Sequence, residues 1–193
     1  MRIIAGEWRG RKLTAPKGEG TRPTADRARE TLFAMLTSRL GDFAGLQVAD
    51  LFAGSGALGL EALSRGAEQC LFVEQDRAAV DVIRANIAAL GAQARCRVEV
   101  ASVMQLRAAP RPLDLILVDP PYQSGAGEVA LDRLARLGWI GAETWIALET
   151  GFKEDVAVKG LTLDAERRVG KGKLSLLRLA NPAADPASAE EQA

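Results

Sequence analysis

The chain is expected to fold as an α/β protein, a doubly wound, mostly parallel seven-stranded sheet. An antiparallel C-terminal hairpin should close it, and a small N-terminal β-hairpin or arm should precede it. Three observations predict this. Short apolar runs alternate with segments of helical period from residue 48 to residue 149; a glycine-rich turn follows the first run; and the last two runs are separated by only four residues, Gly170-Lys171-Gly172-Lys173.

Taken in order, residues 2–14 alternate loosely around Gly6 and Gly10, as a hairpin or extended arm outside the main domain would, and Pro16 to Pro23 reads as a loop. Thr24 or Asp26 is placed to cap a helix whose apolar face is Ala28, Leu32, Phe33, Leu36 and Leu40. Strands are expected at 48–52, 70–74, 97–100, 115–118 and 145–149, and helices at 58–65, 78–90 and 128–137, with a short one near Met104. Residues 161–169 and 174–179 form the closing hairpin. The tail from Asn181 is rich in Pro, Ala and Glu and is expected to be disordered. The organisation expected is therefore an arm over 1–21, a domain over 22–180 and a tail over 181–193.

At 193 residues, 48% hydrophobic and 26% charged, the chain has the composition of one globular domain. No apolar run approaches membrane-spanning length, the first residues lack a signal-peptide core, and Cys70 and Cys96 have no framework or metal spacing. A reducing, cytoplasmic setting without membrane or metal is expected. The absence of histidine removes imidazole bases, Ser-His and Cys-His nucleophile pairs and histidine-containing zinc sites. Net charge is zero but uneven: up to residue 29 eight cations face three anions, a local +5. Trp8, Arg9, Arg11 and Lys12, with Arg22, Thr24, Arg27 and Arg29, are the candidates for gripping phosphates and stacking a base. A solvated face or internal salt bridges would explain the same cations.

Two motifs carry chemistry. The first strand runs into Asp50-Leu51-Phe52-Ala53-Gly54-Ser55-Gly56-Ala57-Leu58-Gly59, a Gly-x-Gly-x-x-Gly that opens a helix, where glycine lets a cofactor approach the backbone. Glu74 ends the next strand twenty positions after Gly54, with Gln75 beside it, where a carboxylate can bond the two hydroxyls of an adenosine ribose. NAD and S-adenosylmethionine share that ribose. The second motif, Asp119-Pro120-Pro121-Tyr122, ends the apolar run from Leu113. It offers acceptors for an exocyclic NH2 and a ring to stack on a base, which points to S-adenosylmethionine, although Asp-Pro-Pro alone is also an ordinary strand-ending turn.

These blocks, with Arg2 to Leu13 and Arg22 to Phe33, resemble the bacterial 16S ribosomal RNA guanine-N2 methyltransferases, a family of class I S-adenosylmethionine enzymes with a Rossmann-like sheet. The resemblance implies that Asp50, Phe52, Ala53, Gly54, Ser55 and Gly56 cradle the cofactor, Glu74 and Gln75 hold its ribose, and Asp119 to Tyr122 face the base. Related enzymes often carry Asp or Asn followed by Ala at the adenine contact, where this chain has Ser102-Val103. The Arg22 to Arg29 cluster would bind an RNA phosphate or the methionine carboxylate.

Asp119 and the Pro120 carbonyl would accept the two N–H bonds of guanine N2, and Tyr122 would sandwich the base. The protein is expected to be a monomer acting on 16S ribosomal RNA within a small-subunit assembly particle. Alternatives are a DNA adenine-N6 or cytosine-N4 methyltransferase, a nonenzymatic RNA-binding assembly factor, and, on the glycine loop alone, a dehydrogenase.

Overall fold

The structure, a computed structural model, describes residues 1–16, 23–121 and 124–180, with backbone alone for residues 23–25. The loop expected at 16–23, Arg22, Tyr122 and the tail from Asn181 therefore lie wholly or largely outside the described residues, as does the Thr24 side chain.

The elements follow one another as α1 (Pro23–Leu40), β1 (Gln47–Leu51), α2 (Ala57–Ser64), β2 (Gln69–Glu74), α3 (Arg77–Leu90), β3 (Cys96–Val100), β4 (Leu115–Val118), α4 (Ala126–Arg136), β5 (Trp145–Gly151), β6 (Leu161–Val169) and β7 (Gly172–Leu179). Single 3-10 turns at Gln93–Arg95 and Val103–Gln105 flank β3. Helix α1 opens on Pro23, whose fixed φ and missing N–H suit a first helical position, so Thr24 and Asp26 lie inside the first turn rather than capping it. Helix α3 begins on the Asp76 carboxylate, which accepts the Ala79 N–H at 2.8 Å.

The sheet order is β3-β2-β1-β4-β5-β7-β6, with β7 antiparallel to both neighbours. Strand β4 is buried throughout because helices cover both faces: Leu115 and Leu117 join α1, α2 and α3 on one side, while Ile116 and Val118 join α4 on the other. Strand β6 is the exposed edge and carries Asp164, Glu166, Arg167 and Arg168, charges that discourage edge-to-edge pairing. The turn between β6 and β7 is tighter than expected, because Lys173 pairs with Arg168 and Gly172 with Val169.

The N-terminal segment is not an arm outside the domain. It does close as a hairpin, through the Arg2–Lys12 bridge and the Ile3 N–H on the Arg11 carbonyl at 2.9 Å. Yet Ile3, Trp8 and Leu13 are buried in the same core as α1, α2 and the sheet. Each such burial is worth about 1.5–3 kcal/mol, which the alternating pattern alone did not disclose. The docking is close. Gly6, at φ +83°, lies so near α2 that a Cβ would stand 1.8 Å from the Ser64 carbonyl oxygen.

A buried carboxylate holds these pieces together. Glu61 of α2 is fully buried and accepts the Ile4 N–H at 2.7 Å and the Ala5 N–H at 3.0 Å, while pairing with Arg65 at 2.8 Å and Arg29 at 3.8 Å. Truncating one partner of such a buried set strands the others. Glu61→Ala should destabilise the protein by about 3–5 kcal/mol, read as a lower urea midpoint, with Glu61→Gln losing less because its amide oxygen still accepts one backbone N–H.

Candidate active site

Strands β1, β2 and β4 end together at their carboxyl edges, since Leu51 lies opposite both Val73 and Val118. Chain connection runs outward from β1 in one direction and from β4 in the other, so this edge is the switch point where a doubly wound sheet opens a crevice. Three carboxylates lie close enough there to influence one another. Asp50 is buried at the end of β1 and accepts the Gly59 N–H at 2.8 Å; Glu74 ends β2; Asp119 comes directly after β4 and is exposed. Burial pushes the Asp50 carboxyl well above its ordinary range, the Gly59 N–H opposes this, and the charges of Asp119 and Glu74 push it further up.

The glycine loop between β1 and α2 is held from outside itself. The Glu74 carboxylate accepts the Gly54 N–H at 2.9 Å with one oxygen and the Asp76 N–H at 2.9 Å with the other. Ala53 N–H reaches the Val73 carbonyl at 3.2 Å, and Asn86 of α3 donates to the Ser55 carbonyl at 2.9 Å. Phe52 takes φ 59°, the one non-glycine residue in left-handed backbone among those described. The third glycine serves packing: a Cβ on Gly59 would lie 2.5 Å from Phe72 and 2.6 Å from the Cys70 sulfur. At Gly54 a Cβ would meet only the Phe52 carbonyl oxygen at 4.0 Å, leaving the outer face of the loop open.

The other expected cofactor residues divide. Gln75 is exposed beside Glu74. Val103 is buried in the core with α4, and the Ser102 hydroxyl accepts the Met104 N–H at 3.3 Å within a capping box closed by Gln105. Ser55 is buried, its hydroxyl 3.4 Å from the Met1 sulfur. Beyond β4, Pro120 is buried against α4, where a Cβ on Gly127 would stand 3.1 Å from its ring. Pro120, Pro121, Ser124, Glu149, Thr150 and Glu154 help to line a cleft of ≈ 260 Å³ beside Asp119.

Two of the expected RNA contacts are corrected. Trp8 is 7% exposed in the core, with the Arg95 guanidinium 5.2 Å from its ring centre, so its faces are not available to a base. Arg29 is 5% exposed, pairs with Asp26 at 2.9 Å and donates to the Arg2 carbonyl at 2.5 Å; it is an internal ion pair, not a phosphate ligand. Arg9 and Arg27 do converge: with Arg2, Asp26 and Glu30 they line an open cleft of ≈ 580 Å³. Lys12 and Arg11 are exposed, Arg11 donating to the Ala89 carbonyl at 2.5 Å. Asn86 and Glu61 were not foreseen. Asn86 also exchanges hydrogen bonds with Thr14 at 2.8 and 2.9 Å, and its signal was a polar residue on the apolar stripe Val80, Ile83, Ile87.

A cradle of open glycine backbone flanked by acceptors suits an adenosine, and the exposed Asp119 carboxylate near it suits a cationic group. Residues 1–178 match the family described as Conserved hypothetical protein 95. The chain belongs to that family. Ribosomal RNA small subunit methyltransferase D of Escherichia coli (strain K12) is 44% identical over 151 residues, 78% of this chain and 74% of that protein. Its namesake in Haemophilus influenzae is 37% identical over 155 residues, 78% of each chain. Among solved structures, the Escherichia coli protein yhhF superposes with a TM-score of 0.80 at 38% identity, covering 94% of this chain and 99% of that one. The chain is thus a class I methyltransferase, the class that takes its methyl group from S-adenosylmethionine.

The raised Asp50 carboxyl has a pH signature. Between the unfolded value of about 3.9 and the raised folded value, the unfolded chain binds fewer protons than the folded one, so stability falls as pH rises. Urea titrations of the cofactor-free protein from pH 4 to 8 should show wild type losing stability relative to Asp50→Asn as pH increases through that window.

Proposed function

We propose that the protein transfers a methyl group from S-adenosylmethionine to the exocyclic N2 amine of one guanine in 16S ribosomal RNA. The observation that carries this reading is the emergence of Asp119-Pro120-Pro121 from β4 directly beside the glycine loop of β1, at the sheet edge that Glu74 also reaches. Membership of a family whose relatives are named small-subunit ribosomal RNA methyltransferases supports the substrate class.

In this reading the loop from Phe52 to Gly56, with Asp50 behind it, receives the cofactor, and Glu74 accepts its ribose hydroxyls with lone pairs left over from the Gly54 and Asp76 bonds. When bound, the cofactor supplies an activated methyl on a cationic sulfur. The chain's own part is positioning and charge. Asp119 and the Pro120 carbonyl accept the N–H bonds of the guanine N2, turning its lone pair toward the donor, and the carboxylate stabilises positive charge growing on the amine. Tyr122 covers a face of the base. Asp119 or water then removes the extra proton. Ser102 has only the second lone pair of its carbonyl to offer, because its hydroxyl accepts the Met104 N–H, its N–H donates to Gln105 and its carbonyl already accepts the Gln105 N–H.

Arg2, Arg9 and Arg27 hold RNA phosphates along the N-terminal cleft, with Arg11 and Lys12 at its margin. The protein works as a monomer in the cytoplasm on a small-subunit assembly particle. A DNA amino-methyltransferase could use the same strand-end chemistry, and the relatives favour RNA over it.

The deciding experiment incubates the protein with methyl-labelled S-adenosylmethionine and unmodified 16S ribosomal RNA, free and in small subunits, and identifies the labelled nucleoside. N2-methylguanosine is expected; label on adenine, cytosine or DNA alone would overturn the reading. Asp119→Ala should lower kcat by about 10²–10³-fold while circular dichroism stays unchanged. Arg9→Ala and Arg27→Ala should each weaken RNA binding and reduce the slope of log affinity against log salt by about one, measured by titration across 50–200 mM salt.

A further inference from the structure

Strand β5 runs past the end of β4 and leads into an exposed aromatic ring set among cations. Leu148 pairs with Val118, which brings Asp119 level with Glu149. Phe152, three residues on, therefore stands roughly 10 Å beyond Asp119 along the strand direction. Its backbone N–H donates to the Lys171 carbonyl at 3.1 Å, because Gly151 and Gly172 are register partners, so the β6–β7 turn lies against it. Phe152 is 39% exposed, the one aromatic among the exposed large apolar residues described. The Arg168 guanidinium lies 4.1 Å from its ring centre and the Lys153 ammonium 5.7 Å. Lys171 is exposed at the turn, and the nearby β6 carboxylate, Glu166, is paired with Lys173 at 3.2 Å. Glu154 and Asp155 face the neighbouring cleft.

We infer that Phe152, braced by Arg168, is a stacking platform for an unpaired RNA nucleotide next to the target base, with Lys153 and Lys171 taking the adjoining phosphates. This rests on the RNA methyltransferase reading above. A partly exposed ring carrying a guanidinium presents a π face and a cation together, which suits any base, and the neighbouring Lys153 and Lys171 suit the backbone that links bases. The location gives it a task. A base turned into the cleft beside Pro120 and Pro121 must leave its neighbours in the strand outside, and the β6–β7 turn is the surface those neighbours meet on this side of the cleft. The N-terminal cleft and the hairpin then grip the RNA at two separate places.

The test compares wild type with Phe152→Ala, Phe152→Leu, Phe152→Trp and Arg168→Ala, all bound to S-adenosylhomocysteine. Each is titrated with 16S ribosomal RNA and with small subunits, and KM and kcat for methyl transfer are measured in parallel. Loss of one stacked base should weaken binding and raise KM for RNA about tenfold in both Phe152→Ala and Phe152→Leu, with cofactor affinity and kcat at saturating RNA unchanged. Phe152→Trp should bind at least as well as wild type, since a larger π face is retained, whereas a merely structural ring would tolerate Leu better than Trp. Arg168→Ala should flatten the salt dependence. Equal binding by all the Phe152 variants would overturn the inference, as would a loss confined to subunits and absent on naked RNA, which would assign this surface to a protein. Failure of the underlying reading shows separately, as label on a nucleoside other than guanosine in wild type.

Discussion

The fully buried carboxylate of Glu61 is the constraint on which the arrangement of the other parts depends. It is fixed on α2, the helix that begins where the glycine loop ends, and it reaches back to two backbone N–H groups of the N-terminal hairpin and to guanidinium groups on α1 and just past the end of α2. A desolvated charge of this kind tolerates few alternatives, because each lost partner leaves the others facing a low-dielectric interior. The N-terminal hairpin, α1 and α2 are consequently set relative to one another, and the mouth of the site inherits that alignment. Asn86 does the neutral equivalent on α3, joining Thr14 to the loop carbonyl of Ser55.

Charge placement underlies the chemistry proposed for the site. With no histidine in the chain, the proposed reaction leaves proton handling and charge stabilisation to carboxylates. Asp119 and Glu74 are near enough to Asp50 to raise its cost of ionisation, on top of the larger cost that burial imposes. In the proposed reading, the cationic sulfur of the donor would offset this repulsion on binding.

Much of this architecture was legible from the residues. The period of the apolar runs located all seven strands to within two residues, and the β6–β7 pairing was implied by two runs so close in sequence that no crossover fits between them. The placing of the glycine loop, Glu74 and Asp119 at neighbouring strand ends was legible because each follows directly on an apolar run. The failures have a common cause. Trp8 and Arg29 were read from residue type and neighbouring charge, and neither quantity records burial: Trp8 packs beneath Arg95, and Arg29 finds Asp26 one turn away and Glu61 across the helix interface. A cation near a basic segment looks available until the fold supplies its partner. Glu61 escaped notice for the same reason, an ordinary glutamate in an ordinary helix pattern whose backbone partners are more than fifty residues distant.

The conformation of Phe52 has a thermodynamic consequence. A phenylalanine in left-handed backbone does not choose that state by itself; it is kept there because Glu74, Val73, Asn86 and Asp50 restrain the loop and the start of α2 from four outside positions. The conformational entropy of ordering the loop is therefore lost during folding, before any ligand arrives. If this loop receives the cofactor as proposed, association requires little rearrangement of its backbone, so affinity reflects the contacts formed rather than a disorder-to-order transition, with no gating step at this loop.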